Sequence, residues 1–183
     1  MLYIMRHGRT AWNMEHKLQG KTDVPLCAEG RAAVEQAAEA CRNTRIDVCY
    51  CSPLIRARET AEIILRGRHI PILTDVRLEE MGFGISEGTT DFLENPENPV
   101  YPLFASPEKY EIPVEGGEGL AELFERTGAF LKEVVEPQLR QGKDVLIVGH
   151  GAMNASIVCQ IRKIPLKDFW SVKMKNAELM RLC

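Results

Sequence analysis

Two apolar runs in this chain end the same way. Leu2-Tyr3-Ile4-Met5 leads into Arg6-His7-Gly8, and Val145-Leu146-Ile147-Val148 leads into Gly149-His150-Gly151. Neither run alternates with polar residues. That pattern suits strands covered on both faces, as in the middle of a parallel sheet. A glycine after each histidine lets the backbone turn tightly out of the strand. If the two strands are parallel, both imidazoles stand at one carboxyl edge, where open α/β sheets bind ligands. His7 is therefore read as a nucleophile and Arg6 as the cation that holds the anion it attacks.

The remaining segments fit an alternating pattern. Helical periodicity predicts helices over 28–42, 54–66 and 152–163, and a long amphipathic helix over 119–139 that is interrupted near Pro137. Strands are expected at 47–51, 70–74 and 178–182, with Pro71 placing the second of these at an edge or at its own start. The stretch 89–119 carries Pro96, Pro99, Pro102, Pro107 and Pro113 and reads as a long loop with short helices, a lid or insertion within one domain spanning 1–183. Strands alternating with helices imply an α/β fold, a three-layer α/β/α sandwich around a mainly parallel central sheet.

A chain of 183 residues, 45% hydrophobic and 27% charged, can bury one substantial core. Its net charge of −3 argues against a non-specific nucleic-acid binder. No apolar run reaches 18 residues and no signal-peptide pattern opens the chain, so a cytoplasmic protein without membrane attachment is expected. The six cysteines form no C-x-x-C pair and read as small buried thiols in a reducing compartment. His16 and His69 lack the strand-end setting and are expected on the surface or in packing. Arg58 is expected to pair with nearby glutamates on the helix or sheet surface.

Phosphoryl transfer to a side chain needs a nucleophile, cations for the phosphoryl oxygens and an acid for the leaving oxygen. A neutral imidazole, with an unperturbed pKa of about 6.5, is a nucleophile near neutral pH. An arginine fork matches phosphate geometry, which suits Arg6 and also Arg56 at the start of its helix. His150, if protonated, adds another donor. Each such donor lowers the barrier by roughly 3–4 kcal/mol, by analogy with oxyanion-hole donors.

With these parts in view, the chain resembles the histidine phosphatase superfamily, also called phosphoglycerate mutase-like, over nearly its whole length. Arg6-His7-Gly8-Arg9-Thr10 with Trp12-Asn13 resembles the family's opening motif, and the stretch from Gln19-Gly20 through Asp23-Val24-Pro25-Leu26 to Gly30 resembles the family's next segment. Ser52-Pro53-Leu54-Ile55-Arg56-Ala57-Arg58-Glu59-Thr60 matches the S-P-L-x-R-A-x-x-T element. Leu78-Glu79-Glu80 through Glu87-Gly88 matches L-x-E-x-x-x-G-x-x-E-G. Glu115-Gly116-Gly117-Glu118 and Val148-Gly149-His150-Gly151 complete the set.

The resemblance implies that His7 becomes phosphorylated, that Arg6, Arg56 and His150 bind the phosphoryl oxygens, and that Glu80 protonates the leaving alkoxide. Composition alone leaves Glu79 and Glu87 as rival acids. Asn13 and Arg9 are expected to touch substrate. Arg9 stands where many members carry Glu or Gln, so the pocket mouth is expected to be basic and to suit extra negative charge. Cys27-Ala28 replaces a common Leu-Thr or Leu-Ser helix entry, and Gly119 replaces a serine, so both helix caps are expected to be weak. No metal or cofactor is implied. The expected partner is a small phosphorylated substrate, with the chain a monomer or homodimer. The nearest match in character is a short bacterial phosphatase such as α-ribazole phosphatase. The first alternative is a cofactor-dependent phosphoglycerate mutase, although mutases usually carry a longer insertion before the G-G-E element. The second is a phosphoprotein phosphatase or a low-turnover docking module.

Overall fold

In a computed structural model, which describes residues 1–111 and 113–183, five strands form one sheet in the order β3-β2-β4-β1-β5. They are β1 (Leu2–Arg6), β2 (Val48–Cys51), β3 (Ile72–Thr74), β4 (Val145–Gly149) and β5 (Leu179–Arg181). The first four in that order are parallel, and β5 runs antiparallel along β1. The two apolar runs are direct neighbours, in register from Leu2 opposite Val145 to Arg6 opposite Gly149.

Each central strand is buried on both faces, which explains its unbroken apolar sequence. Leu2, Ile4, Val48, Tyr50, Val145 and Ile147 share one core with Leu123 and Phe130 of α5 (Leu120–Phe130) and Met153 and Ile157 of α7 (Gly151–Arg162). The alternate residues Met5, Cys49, Cys51, Leu146 and Val148 share a second core with Val34 of α2 (Ala28–Ala40) and Ala57, Ala61 and Ile64 of α3 (Ile55–Ile64). Two cores on opposite faces of one sheet make three layers. Pro71 lies just before the short edge strand β3 and gives only its carbonyl, which accepts from Cys49 N–H at 3.0 Å.

The α-helix expected over 119–139 is interrupted just ahead of Pro137, as the sequence suggests. It runs from α5 through a π-helical turn, Leu131–Val135, into α6 (Glu136–Arg140), with Pro137 in the first turn of α6. A proline has no N–H and crowds the carbonyl four residues back, and the wider turn sits just ahead of it. Both helix entries are weakly capped, as expected: Cys27 supplies only a thiol, whose Sγ accepts from Gly30 N–H at 3.3 Å, and Gly119 gives no side-chain cap, although Glu122 Oε2 accepts from its N–H at 2.9 Å. The expectation for Arg58 is corrected. Arg58 is exposed and forms no ion pair among the described residues; Arg31 instead pairs with Glu59 at 2.8 Å.

Two short helices, α1 (Ala11–Met14) and α4 (Tyr101–Ala105), flank the edge where β1 and β4 end. Within 89–119, Val100 and Leu103 are fully buried and Tyr110 and Val114 nearly so, all in the first core. Ile112, in the same stretch, lies outside the described residues. Four cysteines are buried, while Cys27 is half-buried and Cys183 exposed. Among the described residues no helix is long and apolar enough to cross a membrane.

Candidate active site

One residue beyond the β1–β4 ladder, His7 and His150 meet with ring centroids 5.1 Å apart. The His7 backbone is held from several elements. Asn176 donates to its carbonyl at 2.8 Å, and the following Gly8 N–H donates to Thr60 Oγ1 at 2.9 Å. The Thr60 hydroxyl donates to Arg56 O at 2.7 Å, which links the strand end to α3. His7 Nδ1 lies 2.6 Å from Gly8 O. A carbonyl only accepts, so Nδ1 carries the proton and Nε2 keeps its lone pair.

Arg56 is completely buried. Its fork donates to Thr22 O at 2.9 Å and Gly20 O at 2.6 Å. Gly20 has a φ of 56° there, and an added Cβ would run into the Glu87 carboxylate, so glycine is required. Arg6 reaches Met174 O at 3.4 Å. Arg6 Nε, Arg56 Nε and both His150 ring nitrogens are buried with no hydrogen-bond partner among the described residues. Native interiors leave few such groups unmatched, and Arg6 and Arg56 line one cavity together, which suits an anion.

Glu80 sits against the start of α7. Its carboxylate accepts from Met81 N–H at 2.9 Å, Ala152 N–H at 3.2 Å and Met153 N–H at 2.9 Å. A Cβ on Gly151 would lie 3.4 Å from Glu80 Oε2 and 3.8 Å from Arg6 Cζ, so its bareness keeps the floor open. The rival carboxylates are placed elsewhere. Glu79 faces Lys21 at 3.6 Å. Glu87 accepts from Lys21 N–H at 2.9 Å, Thr22 N–H at 2.8 Å and Phe83 N–H at 3.0 Å, which ties the loop under Arg56 to the loop after Glu80. Glu118, in the G-G-E element, pairs with Arg126 at 2.5 Å and accepts from Gly82 N–H at 3.3 Å, so it also braces the Glu80 segment.

Arg6, His7, Arg56 and Glu80 line one cavity of about 710 Å³. Arg9 and Asn13 line it too, with Arg9 exposed. Asn13 Oδ1 accepts from Thr10 N–H at 3.1 Å and so also caps α1. His150 is not among the lining residues. His16, expected on the surface or in packing, is exposed and lines the cavity, which Lys17 and Glu94 also line. Sequence reasoning missed Thr60, Asn176 and the carbonyls of Gly20 and Thr22; no pattern of residue type marks a backbone acceptor. Among the described residues no three His, Cys, Asp or Glu side chains group as metal ligands.

Burial, and then the Arg56 and Arg6 guanidiniums, hold His7 well below the usual imidazole range; the bond to Gly8 O pulls weakly the other way. Burial, then Arg56, His7 and Arg6, do the same to His150. His150 is therefore neutral rather than a standing cation, and an anion beside it would favour its protonation. Both groups bind fewer protons folded than unfolded. Stability is thus fully present above the unfolded pKa of about 6.5 and is lost as pH falls toward the folded values, by up to about 1.4 kcal/mol per pH unit for each. Urea unfolding at pH 7.5, 6.5 and 5.5 is expected to show this loss, with a shallower slope in His150→Gln. The Asp residues with lowered pKa act below about pH 4, outside the window. A flat profile from 7.5 to 5.5 sinks the assignment.

Residues 2–183 match the family model described as Histidine phosphatase superfamily (branch 1). The chain belongs to that superfamily. A 2,3-bisphosphoglycerate-dependent phosphoglycerate mutase of Cytophaga hutchinsonii is 31% identical, over 95% of this chain and 83% of its own. YhfR of Bacillus stearothermophilus superposes with a TM-score of 0.86 at 31% identity, covering 97% of this chain and 88% of that one. A mycobacterial glucosyl-3-phosphoglycerate phosphatase, in complex with VO3, superposes with a TM-score of 0.83 at 26% identity, covering 97% and 90%. The superfamily thus places phosphatases and mutases on one fold, and the chain shares it.

Proposed function

We propose that this histidine phosphatase hydrolyses a small phosphomonoester through a phosphohistidine on His7. The observation that carries this reading is the His7 imidazole, fixed through Nδ1 to Gly8 O beside the buried Arg56 and half-buried Arg6 guanidiniums. Nε2 attacks phosphorus while the bond to the ester oxygen breaks. Glu80, as the acid, gives its proton to the departing alkoxide. Arg6 and Arg56 bind the phosphoryl oxygens, and His150 adds a donor as it protonates. Water then attacks phosphorus, Glu80 takes back a proton, and the P–N bond breaks to release phosphate. Arg9 and Asn13 contact the substrate at the mouth, and 89–119 acts as a specificity segment that contributes Thr90, Phe92, Leu93, Glu94 and Phe104 to the cavity.

A panel of phosphorylated metabolites scored for phosphate release tests the reaction, and Glu80→Gln tests the acid. For alkyl phosphates the variant is expected to lose about 100- to 10,000-fold in kcat. p-Nitrophenolate leaves without a proton, so p-nitrophenyl phosphate is expected to give a burst of one equivalent followed by slow turnover. Equal losses on both esters without a burst remove Glu80 from the leaving-group step and favour Glu94.

Phosphoryl transfer back to substrate is a second reading. Arg9, His16 and Lys17 at the mouth can meet a second anionic group, and the Cytophaga relative is named as a mutase. Interconversion of phosphoglycerates that depends on 2,3-bisphosphoglycerate, without phosphate release, decides for it.

A further inference from the structure

Beside the phosphoryl-binding end of the cavity lies a second compartment of about 320 Å³. The two share Arg6, Gly151, Leu93, Phe104 and Trp170. The second adds Ala155, Val158, Val172, Lys173 and Met174. Its walls are apolar apart from Lys173 and the Arg6 guanidinium.

The shared wall is aromatic and already built. Phe104 and Trp170 stack with centroids 5.1 Å apart and planes 14° apart. Trp170 Nε1 donates to Leu103 O at 2.8 Å, and Phe169, itself buried, meets Trp170 edge-on at 4.7 Å. Phe92 packs against the other side of the wall, 5.0 Å from Phe104. Rings held by one another and by a backbone carbonyl lose little freedom when a ligand arrives.

A phosphoryl group held by Arg6 can direct its alcohol toward the basic mouth or toward this compartment. A polyhydroxylated alcohol in the compartment exchanges water for carbon along Ala155, Val158 and Val172 and leaves most of its hydroxyls unmatched there. A flat apolar group gains contact with the rim of a fixed aromatic stack and with the Ala155, Val158 and Val172 side chains.

We propose, resting on the hydrolase reading above, that the favoured esters carry a flat apolar ring on the alcohol, seated against Phe104 and Trp170. This departs from the substrate with extra negative charge that Arg9 suggests from sequence. Leu93, 58% exposed at the shared rim, covers the ring's outer edge.

The test compares kcat/KM for phenylpropyl phosphate, propyl phosphate and glycerol phosphate, whose primary alcohols are similarly poor leaving groups. The ring is expected to raise kcat/KM about 10- to 100-fold over propyl phosphate. Leu93→Ser and Phe104→Leu are expected to shrink that ratio. A ratio near one, or glycerol phosphate turned over fastest, overturns the ring subsite while leaving the hydrolase reading intact. If no ester is hydrolysed, the hydrolase reading fails, and the binding of phenylpropylphosphonate against propylphosphonate reads the subsite directly. About tenfold tighter binding of the former supports it, and equal binding overturns it.

Discussion

Replacing His7 with alanine is expected to lower kcat on any phosphomonoester substrate by about 10,000-fold or more, the scale seen when a nucleophile is removed from a site whose other groups act only around it. The rival nucleophile is His150, whose ring lies 5.1 Å away. Two features favour His7. Its Nδ1 is tied to Gly8 O, which fixes the tautomer and leaves Nε2 free, whereas neither His150 nitrogen has a partner among the described residues to fix it. His7 also lines the cavity and His150 does not. The variant is expected to keep its affinity for inorganic phosphate within a few-fold, because Arg6 and Arg56 remain. Phosphate transferred from a labelled donor is expected to be acid-labile, base-stable and mapped to the peptide containing His7. Turnover within tenfold of wild type, or label on His150, ends the assignment. The same geometry sets the acid limb of kcat/KM. Attack needs neutral His7, and burial among cations keeps it neutral well below pH 6.5, so activity is expected to persist into mildly acidic buffer.

Much of this site is legible in the residues because strand ends are. An apolar run buried on both faces can end only where the chain leaves the sheet, and the His-Gly pairs mark both exits. Parallel strands then put His7 and His150 at one edge, and the structure adds that the two strands are direct neighbours, in register from Leu2 opposite Val145 to Arg6 opposite Gly149. What the residues do not disclose is of another physical kind. The protonation of His150 depends on burial and on two guanidiniums brought from β1 and α3, which no local pattern reports. Glu79, Glu80 and Glu87 are alike in composition, and only the approach of the α7 N–H groups to one of them and of the 21–22 backbone to another separates their roles. The aromatic wall joins Phe92 and Phe104 to Trp170 across more than sixty residues of chain. Proline-rich spacing in 89–119 reads as a loop, and it gives no sign that Val100 and Leu103 anchor that segment in the core.

Arg56→Lys is the substitution that best separates charge from shape at this site. The wild-type guanidinium is fully buried, and its burial is the main influence lowering its pKa, opposed chiefly by Glu80. Its fork reaches Gly20 O and Thr22 O together, while Nε has no partner among the described residues. Lysine keeps a positive charge but is a point donor on a flexible stem, and it cannot serve two carbonyls and a phosphoryl oxygen in one plane. Loss of one charged hydrogen bond costs about 1.5–3 kcal/mol of stability, with the carbonyl left unmatched. Loss of one oriented donor to the transition state lowers kcat about 100- to 1,000-fold. Arg56→Met supplies the comparison. It also loses the bonds to Gly20 and Thr22 and the attraction of Glu80, Asp23 and Glu87, but it removes a desolvated charge and its repulsion with Arg6, and desolvation is the largest of these influences, which offsets part of the cost. Stability is therefore expected to fall less in the methionine variant than in the lysine variant, while its affinity for inorganic phosphate falls further. Urea unfolding and phosphate titration on the two proteins check both orders. If the lysine variant retains wild-type kcat, Arg56 acts as a charge alone and the fork has no part in phosphoryl transfer. If the methionine variant binds phosphate as wild type does, the anion rests on Arg6 and the helix α7 end, and the two-guanidinium cradle is wrong.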